Sequence, residues 1–127
     1  MLGGEKVIIF LDKDPARAAL QYQRMKPEDQ NRTVWIRTAR EVISVIKEYQ
    51  GNIDMISLGY DLTDLEYNHP GRTDCGLEVV RFLEKENPKD YEDVRFIIHS
   101  WNYDGSKKMA CRLMSAGYNV LKHPFGS

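Results

Sequence analysis

Short apolar runs alternate with helix-forming segments along this chain. The runs are KVIIFL at 6–11, TVWI at 33–36, IDMISL at 53–58 and VRFII at 94–98, with a shorter one at 119–121. Continuous apolar runs of this length are typical of strands buried on both faces of a parallel sheet. The alternation therefore predicts an α/β fold in which a five-stranded parallel sheet carries helices on both faces. Because crossovers are right-handed, few topologies remain, and the flavodoxin-like strand order 2-1-3-4-5 is the first choice.

Helix-start signals stand between the apolar runs. Asp14 followed by Pro15 predicts an N-cap with proline at the first helical position, and Thr38 with Glu41 predicts a capping box. A polar loop at 62–74 is longer than most connections between a strand and a helix, so we expect it to be functional. The predicted helices cover about 15–25, 39–50, 75–87 and 106–116, with Gly51 and Gly117 as C-terminal caps.

The overall balance of residues limits the class of protein. The chain has 127 residues and a net charge of −1, which predicts a single domain over 1–127 and no basic field for duplex nucleic acid. No apolar run approaches the roughly 20 residues that a membrane-spanning helix needs. The two cysteines, Cys75 and Cys111, have no CxxC partner, which argues against a disulfide framework or a zinc site. We therefore expect a cytoplasmic protein without membrane contact, whose oligomeric state the sequence leaves open.

Polar side chains follow the predicted strands at the edge where sheets of this kind bind ligands. In open α/β sheets, ligands lie outside the carboxyl ends of the strands. Residues just after the strands should therefore meet at one edge, although they are distant in sequence. They are Asp12 and Asp14 after the first strand, Tyr60 and Asp61 after the third, His99, Ser100, Trp101 and Asn102 after the fourth, and Lys122 and His123 after the fifth.

The acidic members of this group form a candidate cation site. Carboxylates that lie close together either bind a cation or raise one another's pKa, so Asp12, Asp14 and Asp61 are candidate Mg²⁺ ligands. For Asp14 the simpler interpretation is that it only caps the helix that follows. For Asp12 and Asp61 the functional and the structural interpretations both stay open.

The residues after the fourth strand suit contact with a phosphate. His99 ends an apolar strand, and a histidine there either moves a proton and contacts phosphate or is an ordinary buried side chain. Ser100 and Asn102 precede a predicted helix, whose free N–H groups favour anions. Trp101 either stacks on a base or covers the sheet edge. Lys122 either neutralises a phosphate or is a solvated lysine.

Several segments of the chain resemble one known family, the cyclic-phosphate processing receiver domain, a divergent branch of the response-regulator receivers. The resemblance covers nearly the whole chain and is most specific at 74–81 and 99–102. The matching segments are LDKD at 11–14, GYDL at 59–62, RTDCGLEVVR at 72–81, HSWN at 99–102, GYNV at 117–120 and PFG at 124–126.

The resemblance implies a flavodoxin-like receiver fold and action on a cyclic phosphate in a small nucleotide, a cyclic oligonucleotide or an RNA end. It implies that the ligand site includes Asp12, Asp61, His99, Ser100 and Asn102, and that Arg72 and Asp74 also face the ligand. Phage genomes carry relatives of this kind, so an anti-defence role against nucleotide signalling is a further expectation.

The chain departs from the family pattern at positions that matter for chemistry. The aspartate and histidine that the family has after the third strand are Gly59 and Tyr60 here, and Trp101 replaces a second histidine found in many relatives. A phosphorelay receiver would have its phosphoacceptor aspartate near Gly59, and glycine cannot accept a phosphoryl group. Tyr60, with an ordinary pKa of about 10, is a poor base at neutral pH.

Three functional hypotheses follow. The first is a phosphodiesterase that opens the cyclic phosphate, with His99 as general acid or base and with Asp12 and Asp61 orienting water or Mg²⁺. The second is a non-catalytic binder of a cyclic nucleotide or oligonucleotide, because Tyr60 and Trp101 exchange proton-transfer groups for stacking surface. The third is a receiver that binds a protein partner without phosphorelay.

Overall fold

The structure is a computed structural model that describes residues 6–59, 76–99 and 103–122. The strands are β1 (Val7–Leu11), β2 (Thr33–Ile36), β3 (Ile53–Leu58), β4 (Arg95–Ile98) and β5 (Val120–Lys122). The helices are α1 (Pro15–Gln23), α2 (Pro27–Gln30), α3 (Ala39–Glu48), α4 (Gly76–Glu84) and α5 (Tyr103–Ser115), with a 3-10 helix at Pro88–Tyr91. The predicted functional loop at 62–74 lies outside the described residues.

The five strands form one parallel sheet in the order β2-β1-β3-β4-β5, which confirms the predicted topology. All five residues of β1 are buried, as a continuous apolar run predicts for a strand next to the middle of the sheet. Val7, Ile9 and Leu11 belong to the main core cluster, which α3, α4 and α5 also supply. Because strand side chains alternate, Ile8 and Phe10 are buried on the opposite face.

The predicted helix-start signals are confirmed. The Asp14 carboxylate accepts a hydrogen bond of 2.9 Å from the backbone N–H of Ala16, and Pro15 is the first residue of α1. The Thr38 hydroxyl accepts a bond of 3.2 Å from the backbone N–H of Glu41 at the start of α3. Both contacts satisfy N–H groups that have no partner within the helix, so they set where α1 and α3 begin.

Prolines explain two differences from the predicted elements. The first helix ends at Gln23, and Pro27 starts the short α2 rather than an irregular segment. Pro88 likewise starts an unexpected 3-10 helix, where the Asn87 side chain accepts a bond from the backbone N–H of Lys89. Proline cannot continue a helix because it lacks an N–H group, yet its fixed φ suits a first turn.

The start of the last helix also differs from the prediction. The last helix begins at Tyr103, three residues before the predicted start at 106. Met109, Ala110 and Leu113 of this helix are buried, whereas Met114 is 52% exposed. In α4, Leu77, Val79, Val80 and Leu83 are buried.

The strand register places three residues side by side at the C-terminal edge of the sheet. Phe10 pairs with Ser57 across β1 and β3. Two residues further along each strand lie Asp12 and Gly59, which therefore share the face of Phe10 and Ser57. The hydrogen bonds between strands continue past the strand ends. The Gly59 N–H donates to the Leu11 carbonyl at 2.9 Å, and the His99 N–H donates to the Leu58 carbonyl at 3.1 Å. Asp12, Gly59 and His99 thus form one row.

Candidate functional site

Asp12 is a buried carboxylate at the centre of this row. Its side chain is 2% exposed, and its Oδ1 accepts bonds of 2.9 Å from the Asp14 amide and 3.0 Å from Nη2 of Arg17. The Arg17 Nε lies 2.9 Å from Oδ2, which makes the ion pair bidentate. A buried carboxylate is costly unless it is paired in this way, so the ion pair with Arg17 on α1 helps Asp12 to remain charged.

The protonation state of Asp12 follows from these contacts. Burial on its own raises the pKa of the Asp12 carboxyl. Hydrogen bonds from His99, Arg17 and the Asp14 amide oppose that effect and outweigh it, so the pKa of Asp12 lies below its ordinary value. Asp12 is therefore an ionised hydrogen-bond acceptor at neutral pH.

His99 is a buried imidazole with both ring nitrogens bonded to the protein. Its Nε2 lies 3.1 Å from Oδ2 of Asp12, and its Nδ1 lies 2.7 Å from the hydroxyl oxygen of Ser57. The ring stacks on Phe10 with 4.5 Å between centroids and 11° between planes. With 3% of its surface exposed, His99 connects β4 to β3 and β1 through polar contacts that are shielded from water.

Gly59 leaves the space that the imidazole occupies. A Cβ atom on Gly59 would lie 3.2 Å from Nε2 of His99, 3.1 Å from the Leu11 carbonyl oxygen and 3.7 Å from Oδ2 of Asp12. The first two separations are tighter than ordinary van der Waals contact. A side chain at position 59 would therefore crowd the His99 ring at the point where it contacts Asp12.

Trp35 on the edge strand β2 supports the backbone of the site from outside. Its indole N–H donates a bond of 2.6 Å to the backbone carbonyl of Asp12, and its side chain is 40% exposed. The Arg37 guanidinium lies 5.4 Å from the indole centroid and donates a bond of 3.2 Å to the Lys13 carbonyl. These two contacts hold the turn between β1 and α1 against β2.

Sequence reasoning missed Arg17, Ser57 and Trp35. For Arg17 a signal existed, because position 17 lies one turn into a helix that follows Asp12 directly. For Ser57, strand alternation puts its side chain on the same face as position 59. For Trp35 there was no local signal, since its contact with Asp12 crosses from one strand to its neighbour.

The predicted site residues have different outcomes. The structure brings Asp12 and His99 into direct contact, and Asp14 lies beside them, where it caps α1 as its simpler interpretation predicted. Lys122 is the last residue of β5, where it pairs with Ile98, but its side chain is not among the parts that the structure describes. The remaining predicted residues also lie outside the described residues: Tyr60, Asp61, Arg72, Asp74, Ser100, Trp101, Asn102 and His123.

Of the three predicted Mg²⁺ ligands, Asp61 lies outside the described residues, and the surroundings of Asp12 do not suit a cation. Both carboxylate oxygens already accept hydrogen bonds, and the Arg17 guanidinium that supplies several of them would repel a cation. Within 6–59, 76–99 and 103–122 there is no group of three or more His, Cys, Asp or Glu side chains that could hold a metal ion.

Comparison with known proteins gives the family. The model of the cyclic-phosphate processing receiver domain matches residues 7–115, which include β1, the Asp12–His99 contact and all of α5. The chain belongs to this family. A search of curated proteins found no significant match.

Solved structures of other receiver domains have the same fold as this cyclic-phosphate processing receiver domain. It matches the non-phosphorylated HemR receiver domain from Leptospira biflexa with a TM-score of 0.62 and 17% identity, over 97% of this chain and 84% of the other. It matches the receiver domain of the Francisella response regulator 1452 with a TM-score of 0.60 and 19% identity, over 96% and 87%. At these identities the comparison supports the fold alone.

The described residues place one group of polar side chains near the C-terminal edge of the sheet. That group consists of the buried residues Ser57, His99 and Asp12 and of the partly exposed Arg17. An ordinary receiver would have its phosphoacceptor aspartate near Gly59, where this chain has no side chain to accept a phosphoryl group. In the described part of the chain, no helix is long and apolar enough to cross a membrane.

Proposed function

We propose that this receiver domain binds a small nucleotide or cyclic oligonucleotide that carries a cyclic phosphate, and that it holds this ligand without hydrolysing it. The observation that carries the proposal is the state of His99, whose ring nitrogens are already bonded to Ser57 and Asp12. A group that opens a cyclic phosphate must exchange a proton with water or with the leaving oxygen at hydrogen-bond distance. His99 has no nitrogen left for that exchange in this arrangement.

The phosphate is expected at the start of α5. This helix begins at Tyr103, directly after Ser100 and Asn102, whose polar groups the family resemblance assigns to the ligand. Free N–H groups and the helix dipole at such a start favour an anion. The charge of Asp12 does not oppose the anion strongly, because the Arg17 guanidinium is paired with it.

Hydrolysis of the cyclic phosphate is the second candidate, favoured by the family's description as cyclic-phosphate processing. In that case His99 would act as general acid or base, and Asp12 and Asp61 would orient water. The reaction would first require His99 to exchange one of its two hydrogen bonds for a contact with substrate or water.

One incubation series separates these functions. Purified protein is mixed with 2′,3′-cyclic nucleotides, 3′,5′-cyclic nucleotides, and cyclic di- and trinucleotides. Free ligand and ligand released by denaturation are then measured by chromatography. We expect a ligand that leaves solution and returns intact on denaturation. Linear product over many turnovers would instead establish the hydrolase, and the absence of any capture would direct the search to a protein partner.

A matched pair of variants tests whether capture occurs at this edge. Asp12→Asn changes the centre of the proposed site, whereas Asp54→Asn makes the same chemical change at the start of β3, where Asp54 pairs with Arg32 and Arg95. We expect Asp12→Asn to abolish most of the capture and Asp54→Asn to leave it intact. Equal losses in the two variants would contradict the placement of the ligand.

A further inference from the structure

Ser57, His99 and Asp12 form an unbroken chain of buried hydrogen bonds across three strands. The hydroxyl oxygen of Ser57 is 2.7 Å from Nδ1, and Nε2 is 3.1 Å from Oδ2 of Asp12. The three residues are 4%, 3% and 2% exposed. No function has so far been assigned to Ser57, which lies within β3 and outside the row at the sheet edge.

The positions of the protons in this chain follow from the chemistry of its members. An ionised Asp12 can only accept hydrogen bonds, so Nε2 must carry the hydrogen that it donates to Oδ2. In a neutral imidazole the other nitrogen is then an acceptor, and the Ser57 hydroxyl must donate to Nδ1. One direction of donation therefore satisfies all three groups, from Ser57 to His99 to Asp12.

Arg17 and Phe10 pack around the hydrogen-bonded chain of Asp12 and His99. The negative charge of Asp12 is already balanced by Arg17 through two guanidinium nitrogens. The ring itself stacks on the apolar face of Phe10 and is almost fully buried.

We infer that His99 is a positioning residue: the Ser57 hydroxyl group donates to Nδ1 and holds the ring, and the Nε2–H group of His99 in turn holds the carboxylate of Asp12 in place. The effect of this positioning on a ligand rests on the proposed function. The tautomer of His99 is a property of the protein without ligand. His99 then transfers no proton to any ligand. Ser57 becomes a determinant of the site, although it lies one row behind the sheet edge.

Nitrogen NMR on the ligand-free protein tests the tautomer directly. The two-bond ¹⁵N–¹H spectrum, with the His99 signals assigned by their loss in His99→Gln, is expected to show a protonated Nε2 and an unprotonated, hydrogen-bonded Nδ1 at pH 7. In Ser57→Ala the Nδ1 signal should move toward that of an unbonded nitrogen, and Ser57→Thr should restore it. A protonated Nδ1 in the wild type, or an Nδ1 signal unchanged in Ser57→Ala, would overturn the inference.

Substitution of His99 tests the positioning role. Glutamine can donate an N–H bond to Asp12 but cannot move a proton, whereas alanine can do neither. With 2′,3′-cyclic AMP and cyclic di-AMP as probes, His99→Ala should weaken capture about tenfold or more, and His99→Gln should restore most of it. A glutamine variant that is folded but as defective as the alanine variant would overturn the role.

The two experiments separate failure of this inference from failure of the proposed function. If the wild-type protein captured neither probe, the proposed ligand would be wrong, whereas the NMR result would still decide the tautomer. If the probes were captured but Nδ1 carried the proton, the proposed function would stand and the positioning role would be rejected.

Discussion

A Cβ atom on Gly76 would lie 2.2 Å from the backbone carbonyl oxygen of Gly59. It would also lie 2.9 Å from the terminal methyl group of Met109. A contact with a backbone atom cannot be relieved by a change of rotamer, so one of the two chain segments would have to move. The two glycines therefore allow α4 to begin directly against the residue that follows β3.

We predict that Gly76→Ala destabilises the protein by about 1–3 kcal/mol, as overpacking does in well-packed interiors. Intrinsic helix propensity acts in the opposite direction, because alanine is favoured over glycine in a helix by about 1 kcal/mol. The sign of the change therefore identifies the cause. Urea unfolding of the two proteins measures it, and a more stable variant would show that α4 does not pack this closely on Gly59.

We predict that Gly59→Asp, which returns the side chain of an ordinary receiver, displaces His99 and abolishes most ligand capture. The added Cβ would lie 3.2 Å from Nε2 of His99, and the new carboxylate would add a like charge beside Asp12. Gly59→Ala adds the crowding without the charge, so its effect should be smaller. Capture assays on both variants make the comparison, and equal capture by Gly59→Asp and wild type would contradict the importance of this space.

We predict that Asp12 makes the stability of the fold fall in acid. Its pKa in the folded state lies below the ordinary value of 3.8, so the unfolded chain takes up the proton more readily. The stabilisation is present above the unfolded-state pKa and is lost as pH falls through the lower folded-state pKa. Asp12→Asn should cost about 3 kcal/mol at pH 7, because Arg17 loses its buried partner.

The measurement is urea unfolding of the wild type and Asp12→Asn at pH 7 and pH 3. The difference in free energy of unfolding between the two proteins should become smaller at the lower pH. A difference that stayed constant would mean that Asp12 does not titrate between the folded and unfolded states as described.

We predict that Tyr118 contributes to loss of stability in alkali. Burial, followed by the charges of Glu86 and Asp90, raises the pKa of Tyr118 to about 12. Its hydroxyl donates a bond of 2.7 Å to the Leu83 carbonyl, which the ionised form could not do. The stabilisation is therefore complete below the ordinary pKa of 10 and is lost as pH rises toward 12.

Tyr118→Phe provides the test. At pH 7 the variant should be less stable by about 1 kcal/mol, because the Leu83 carbonyl loses its donor. Between pH 9 and pH 11 it should lose less stability than the wild type. The remaining loss is expected from Tyr91, whose pKa is also raised by burial and by Glu86. Identical alkaline curves for the two proteins would exclude Tyr118 as a contributor.

The fold could be predicted closely because local signals determine it. The bounds of β2 and β3 coincide with their apolar runs, and Asp14 and Thr38 cap helices where their spacing to the following residues required it. The strand order followed from general rules of handedness, which do not depend on any particular side chain.

The site could be predicted only in part because its contacts depend on register. Asp12 and His99 are recognisable as strand-end residues, so their convergence was expected. The bond between Ser57 and His99 depends on how β3 is staggered against β4, and a shift by one residue would turn Ser57 to the opposite face. Nothing local in the sequence determines that stagger.

The hydrogen bond from Trp35 to the Asp12 carbonyl has a practical consequence. The indole is half-buried, is bonded to the backbone of the site and lies under the Arg37 guanidinium, so a small shift of the turn at Asp12 alters its surroundings. The chain contains one other tryptophan, Trp101. In a Trp101→Phe background, tryptophan emission excited at wavelengths that tyrosine does not absorb would therefore come from Trp35 alone. The protein would then carry its own optical reporter of events at the sheet edge.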